Sequence, residues 1–125
     1  MPVLDTYGEA PAALSVAQTG NGDSTNIASR QLTAESPGGG ALVVTSAVGA
    51  TPTVTVNIQG SVDGVNFFNI PYALVATPST FTVTAITITT AVTTTYLLQT
   101  GQPWKFLKLV YSANTNVTLT VTAYL

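Results

Sequence analysis

The feature that most constrains the fold is a strict alternation of apolar and polar residues over short segments. In residues 53–59, Val54, Val56 and Ile58 alternate with polar residues, and residues 117–125 alternate valine, leucine and alanine with threonine and tyrosine. A period of two places every apolar side chain on one face of an extended strand. The sequence therefore predicts half-buried β-strands, and no helix-length amphipathic period occurs after residue 27.

Turn-forming residues divide the remainder of the chain into further strands. The predicted strands are residues 27–35, 41–48, 53–59, 65–72, 80–90, 92–99, 104–112 and 117–125. A β-bulge or strand break near Ala85 reconciles the two apolar phases of residues 80–90. Apolar residues on both faces make 104–112 a central strand. About seven to eight short strands indicate an all-β fold, an antiparallel β-sandwich that is Ig-like or jelly-roll-like.

The first 26 residues differ from the rest, because they mix small, polar and turn-forming types without a sustained period. We predict an extended N-terminal arm over residues 1–26 and a β-sandwich domain over residues 27–125. Within the arm, residues 10–18 are predicted to form a short helix, since Pro11 suits a first helical turn. The arm can be held either by its own domain or by a partner.

Charged residues make up only 6% of the chain, against about 25% in ordinary globular domains. A surface with so few charges tends towards association, so we expect partners to cover much of it. The alternative is that hydroxyl-rich strands stay exposed to water. Only Arg30, Lys105 and Lys108 are positive and the net charge is −2, which cannot neutralise a phosphate backbone and argues against nucleic-acid binding.

Neither a membrane span nor a secretory signal is predicted. The longest apolar runs, such as residues 41–44, are far shorter than the ~20 residues that cross a bilayer. The segment that begins at Met1 has neither a basic region nor an apolar one. Synthesis in the cytoplasm is therefore expected.

Histidine and cysteine are both absent from the sequence, which removes the usual general base, the commonest metal ligand and thiol nucleophiles. The five acids are scattered: Asp5, Glu9, Asp23, Glu35 and Asp63. A glycosidase would need Asp63 to face a second carboxylate. We predict that the protein is not an enzyme and has no catalytic, cofactor-binding or metal-binding residues.

Three local motifs have structural interpretations that we prefer to functional ones. Asp63, between Ser61 and Asn66, lacks the acid spacing of a calcium loop, so it is expected to bond local backbone while Gly64 takes positive φ. Residues 38–40 are three glycines without a following lysine, which indicates a turn and not a phosphate loop. Residues 116–118 match a glycosylation acceptor but are interpreted as a turn that enters a strand.

Three aromatic residues, Trp104, Tyr111 and Tyr124, could form a platform on which sugars stack. Such residues more often cap a core or fill an interface, and this is the preferred interpretation.

Residues 42–125 resemble a small family of phage and prophage structural β-sandwich proteins. The resemblance is carried by the sequence VTVNIQGSVDGVNF at residues 54–67 and by WKFLKLV at residues 104–110 followed by residues 117–125, which is similar to a closing hairpin. The family often has an arginine in the penultimate strand, where this chain has Lys105 and Lys108.

The resemblance implies a bacteriophage capsid decoration (cement) protein, which binds the major capsid protein on the outer surface of the virion and stabilises the shell, commonly as a homotrimer. The alternative is a carbohydrate-binding or host-adhesion module of a phage tail or fibre. Because few lysines protect the edges of residues 80–90 and 117–125, we expect a neighbouring copy or the arm to cover at least one of them.

Overall fold

A computed structural model describes residues 12–23, 27–28, 40–99 and 104–124. These residues contain nine β-strands and no helix, and therefore no helix that could span a membrane. The strands are β1 (Ala12–Gln18), β2 (Gly22–Asp23), β3 (Ile27–Ala28), β4 (Gly40–Ser61), β5 (Phe68–Asn69), β6 (Tyr72–Leu74), β7 (Ile86–Ile88), β8 (Thr93–Leu98) and β9 (Phe106–Tyr124).

Two long strands, β4 with 22 residues and β9 with 19, organise the whole fold. They pair antiparallel along their lengths, from Ala41 opposite Tyr124 to Ser61 opposite Phe106. The register shifts between Val48 and Thr55, where the two strands change direction together. The predicted strands at 41–48 and 53–59 are thus confirmed, but they are two parts of one strand.

Strand β9 is likewise one continuous strand where two were predicted. The predicted closing hairpin between residues 104–112 and 117–125 is therefore wrong. Both segments pair with β4 and not with each other. The Asn114 side chain accepts a hydrogen bond from the Val117 N–H at 3.1 Å and donates one to the Val117 carbonyl at 3.0 Å. Ala113 and Asn116 take φ of 52° and 55°. These interactions bend the chain and let it continue as a strand.

The bend in β4 is joined to the bend in β9. The Asn116 side chain donates a hydrogen bond of 2.6 Å to the Ala50 carbonyl, and Thr51 also takes positive φ, at 48°. The N-terminal segment meets the same corner, because Asn21 accepts a hydrogen bond from the Asn114 N–H at 2.8 Å. Three segments therefore turn at one place.

The corner divides the sheet into two layers. The layer that we call the threonine layer contains residues 40–48 of β4 and 117–124 of β9, together with β1, β6 and β8. The layer that we call the aromatic layer contains residues 53–61 of β4 and 106–112 of β9, together with β2, β3, β5 and β7.

One apolar core lies between the layers. Its members include Leu42, Val44, Leu119 and Val121 from the threonine layer and Val54, Val56, Leu107 and Leu109 from the aromatic layer, all at most 2% exposed. The hydroxyls of Ser15 in β1 and Tyr111 in β9 form a buried hydrogen bond of 2.7 Å from one layer to the other. The predicted antiparallel β-sandwich is confirmed.

The helix predicted within residues 10–18 is wrong for the part that is described. Residues 12–18 form strand β1, which pairs antiparallel with β9 from Ala12 opposite Ala123 onwards. Extended backbone lets Leu14 enter the core at 2% exposure. As a result, residues 117–124 lie between β4 and β1 and are not a sheet edge. The division of the chain at residue 26 stays a prediction.

The remaining predicted strands are confirmed in part. The hairpin after β4 is confirmed, with Gln59 opposite Asn69, and β7 pairs with residues 54–56 of β4. The predicted strand at 80–90 is confirmed only for residues 86–88, which form β7; residues 80–85 form no strand, and Thr82 makes only an isolated bridge to Tyr72. In the predicted strand at 27–35 only residues 27–28 are described, and of the glycine turn at 38–40 only Gly40, which begins β4.

Candidate interaction surfaces

The turn that closes the hairpin is held by the side chains of Ser61 and Asp63. One Asp63 oxygen accepts hydrogen bonds from the Ser61 hydroxyl and from the N–H groups of Val65 and Asn66, each at 2.8 Å. The other accepts from the Asn66 side-chain amide at 2.8 Å. The Ser61 oxygen accepts from the N–H of Gly64 at 2.9 Å, and Gly64 has φ of 80°. The structural interpretation of Asp63 is confirmed.

This arrangement also fixes the charge of Asp63. The backbone N–H groups of Asn66 and then Val65, followed by the side chains of Asn66 and Ser61, lower the pKa of the Asp63 carboxyl far below its ordinary range. The carboxylate thus serves as the hydrogen-bond acceptor around which the turn is built.

Asp63 is the only acid whose side chain is described. Asp5, Glu9 and Glu35 lie outside the described residues, and only the backbone of Asp23 is placed, opposite Val110. Within the parts of the chain that the structure describes, no three acids, histidines or cysteines come together as metal ligands.

Trp104 lies over Gly60 at one end of the core. A Cβ on Gly60 would come within 2.8 Å of the indole Cγ, so the missing side chain makes room for the ring. The half-buried indole packs against the core. Its buried N–H has no hydrogen-bond partner among the described residues. Trp104 therefore caps the core, as the preferred interpretation had it.

The structure does not bring Trp104, Tyr111 and Tyr124 together. Tyr111 is 1% exposed and points into the core, where burial raises the pKa of its hydroxyl and the Ser15 bond opposes that rise. Tyr124 is half exposed and pairs with Ala41 in the threonine layer, whereas Trp104 caps the aromatic layer. These three residues form no common sugar-binding platform.

Apolar side chains are exposed at the hairpin turn. Val62 is 51% exposed, Val65 78% and Phe68 58%. The exposed residue Lys105 is attached to the same turn, because its N–H donates a hydrogen bond of 2.8 Å to the Ser61 carbonyl. We call these four residues the turn surface.

Aromatic rings support the turn surface from below. The centroids of Phe68 and Trp104 are 6.4 Å apart, and the Phe106 ring lies under Gly64, 3.3 Å from where a Cβ would be. The Lys108 ammonium lies 4.3 Å from the centroid of Phe67, a cation–π contact. Sequence analysis did not assign Val62 and Val65 to a surface, although apolar residues inside a polar turn were a signal for it.

The outer face of the threonine layer is the second surface. By strand alternation it contains Ala41, Val43, Thr45, Ala47, Thr93, Thr95, Leu97, Thr118, Thr120, Thr122 and Tyr124. The hydroxyls of Thr45 and Thr93 are 3.2 Å apart across two strands. No side chain of this threonine face is charged, whereas Asp63, Lys105 and Lys108 all belong to the aromatic layer or its turn.

A groove of about 400 Å³ lies beside strand β6. The rings of Tyr72 and Tyr96 meet edge to face, with centroids 5.4 Å apart. Burial raises the pKa of both hydroxyls. Threonines and apolar residues line the rest, including Thr77, Thr80, Thr82 and Ile86. Both tyrosines are less than a tenth exposed, so the groove offers no open aromatic face.

No protein-family model matches this chain, and no curated protein matches it. The resemblance to phage decoration proteins therefore stays a prediction.

Proposed function

We propose that the chain is a structural protein of a bacteriophage particle, a capsid decoration protein that binds the outer surface of the shell. The observation that carries the proposal is the charge-free threonine face. A broad face without charges is poorly suited to permanent contact with water and well suited to contact with other protein. The sequence resemblance of residues 42–125 supplies the identity of the partner, the major capsid protein.

The stabilising mechanism is mass action. A protein that binds only the assembled shell lowers the free energy of that state relative to its separate subunits. The proposed arm contributes contacts to neighbouring subunits. Because residues 12–18 pair with β9 of the same chain, we restrict this contact to residues 1–11.

The threonine face is proposed to be the contact between copies in a homotrimer. Its centre is Thr45, which pairs with Thr93 on one side and Thr120 on the other. A charge there would be buried between copies without a partner, which costs several kcal/mol.

A matched pair of substitutions tests this proposal. Thr45→Glu places a charge at the centre of the threonine face, and Thr87→Glu places one on another exposed threonine, in β7. We expect Thr45→Glu to shift the protein to monomer in sedimentation and to lower its retention on shells by about tenfold or more. Thr87→Glu should behave as the parent. A parent protein that is monomeric in solution and on shells would overturn the trimer, and one that does not bind shells would overturn the function.

The alternative, a carbohydrate-binding or host-adhesion module, has less support because its expected aromatic platform is not assembled. Trp104 packs against the core and Tyr111 is buried. A glycan array that gave a reproducible hit, lost on substitution of an exposed aromatic residue such as Tyr124, would favour that alternative over decoration.

A further inference from the structure

The hairpin turn combines two properties that seldom occur together, a fixed backbone and exposed apolar side chains. Hydrogen bonds from Ser61, Val65 and Asn66 converge on the Asp63 carboxylate. The valines at 62 and 65 nevertheless point outwards and are more than half exposed. A turn needs no exposed valines for its own stability, so these side chains are available for an interaction outside the domain.

Rigidity makes these exposed side chains effective as an anchor. Binding usually costs the ordering of side chains and loops at the interface. Here the polar network has already ordered the backbone, and a valine has a single side-chain rotation to lose. Phe68, which packs beside Trp104 at 6.4 Å, adds an aromatic ring of the type that often dominates interface energies.

Two residues of opposite charge border the anchor, Lys105 and Asp63. Lys105 is exposed and bonded through its backbone to Ser61. The Asp63 carboxylate, by contrast, is already surrounded by donors from its own turn. The site is therefore complementary to an apolar recess that has a carboxylate at its rim.

We propose that the turn surface (Val62, Val65, Phe68 and Lys105) is a pre-formed anchor that inserts into an apolar recess with an acidic rim on the shell protein. This inference rests on the proposed function and names the contact by which each copy attaches. The threonine face then joins the copies, and the turn surface joins each copy to the shell.

A membrane is the other partner that exposed valines and a lysine could suit. It is disfavoured because the Asp63 carboxylate lies between Val62 and Val65 and its lowered pKa keeps it ionised. Insertion into hydrocarbon would have to bury that charge, which is costly. A protein recess can admit the two valines and leave the Asp63 carboxylate outside, with the donors of its own turn.

The test uses shells prepared without this protein and measures the affinity of the intact chain for them. We expect the double variant Val62→Ser/Val65→Ser to bind about tenfold to a hundredfold more weakly. The control Val83→Ser/Val92→Ser changes two other valines, 55% and 44% exposed, and should change affinity less than about twofold. Lys105→Gln should slow association and reduce its salt dependence, whereas Lys105→Arg should not.

A labelling experiment gives an independent readout. Because the sequence has no cysteine, Val65→Cys accepts a single environment-sensitive dye, and Val83→Cys provides the control. The dye at position 65 should report an apolar environment when shells are added, and the dye at 83 should not. Thermal midpoints equal to the parent's would show that the variants are folded.

The outcomes separate this inference from the proposed function. If the intact chain binds shells and the valine variants bind equally well, the anchor is wrong and decoration stands. If the intact chain does not bind shells, decoration fails and the anchor fails with it. If the dye at position 65 responds to anionic lipid vesicles and not to shells, the partner is a membrane and the inference is overturned.

Discussion

The threonine layer and the aromatic layer are built on the same two strands, yet they present different chemistry to their surroundings. Their inward faces are equivalent, since valines and leucines of β4 and β9 alternate into one core in both layers. Their outward faces diverge, because the described charged and most of the large aromatic side chains lie in the aromatic layer. The inward pattern specifies the fold, and the outward difference is where function can reside.

The corner explains how one pair of strands supplies both layers. Val48 still pairs with Val117 on one side of it and Val56 with Tyr111 on the other. On both sides of the corner the even-numbered residues of β4 point into the core: Val44 before it and Val54 after it are both buried. Because the bend does not change which alternate residues face inwards, one strand contributes to both layers around the core.

Removing a core leucine should have the largest effect, and both layers should respond alike. Leu119→Ala in the threonine layer and Leu109→Ala in the aromatic layer each delete a side chain that is 0% exposed. We expect each to lower the free energy of unfolding by about 2–5 kcal/mol, measured by urea denaturation. Two separate transitions in either variant would mean that the layers have independent cores.

A smaller loss of stability is expected from a substitution beneath Trp104, which covers the aromatic layer. Gly60→Ala would place a Cβ 2.8 Å from the indole, so the ring must move, at a cost of about 1–3 kcal/mol. Since Trp104 is the only tryptophan, its fluorescence should shift to the red as it becomes hydrated. Gly20→Ala, where a Cβ would have no neighbour within 4 Å, is the control. An unchanged fluorescence spectrum in Gly60→Ala would contradict the conclusion that Trp104 caps the core over Gly60.

The hydrogen bond between the Ser15 and Tyr111 hydroxyls, which joins the layers, should contribute less to the free energy of unfolding. Tyr111→Phe removes one partner and leaves the buried Ser15 hydroxyl without its hydrogen bond, which should cost about 1–2 kcal/mol. Adding Ser15→Ala removes the second partner, so the double variant should lose less than the two single losses added together. Strict additivity in denaturation experiments would show that the pair does not couple the layers.

The smallest effect is expected at the Asp63 turn, which has no counterpart in the threonine layer. Because the pKa of Asp63 is lowered on folding, its ionised form stabilises the protein above the ordinary value of about 3.8. That contribution is lost as the pH falls towards the folded pKa. The thermal midpoint of Asp63→Asn should therefore lie below the parent's at pH 7, and the gap should begin to narrow as the pH falls below about 4. A gap as large at pH 2 as at pH 7 would exclude this linkage.

Local patterns predicted much of the fold. Alternation at Val54, Val56 and Ile58 specified a strand with one buried face, and the Asp63–Gly64 pair specified its turn. The strand and the turn both depend on residues that are close in the sequence, so they can be recognised without knowing any tertiary contact. Alternation also puts Tyr111 on one face with Leu107 and Leu109, and all three are buried in the structure.

The corner and β1 could not be predicted because they depend on distant contacts. Asn116 bends β9 by bonding the carbonyl of Ala50, a partner that no local pattern identifies. Strand β1 pairs with β9 through two register shifts, so its sequence lacks clean alternation, and Pro11 favoured the prediction of a short helix over residues 10–18. The turn surface was missed because a turn motif specifies backbone geometry and not which side chains stay exposed.

The central claim is that this protein decorates a shell, with one surface that joins its copies and another that attaches each copy to the shell. The most direct test of it is an image reconstruction of particles with and without the protein. We predict added density on the outer surface of the shell, with the threonine faces of three copies turned towards one another and each Asp63 turn seated on the shell. Density confined to a tail or fibre, or threonine faces directed to solvent, would contradict the account.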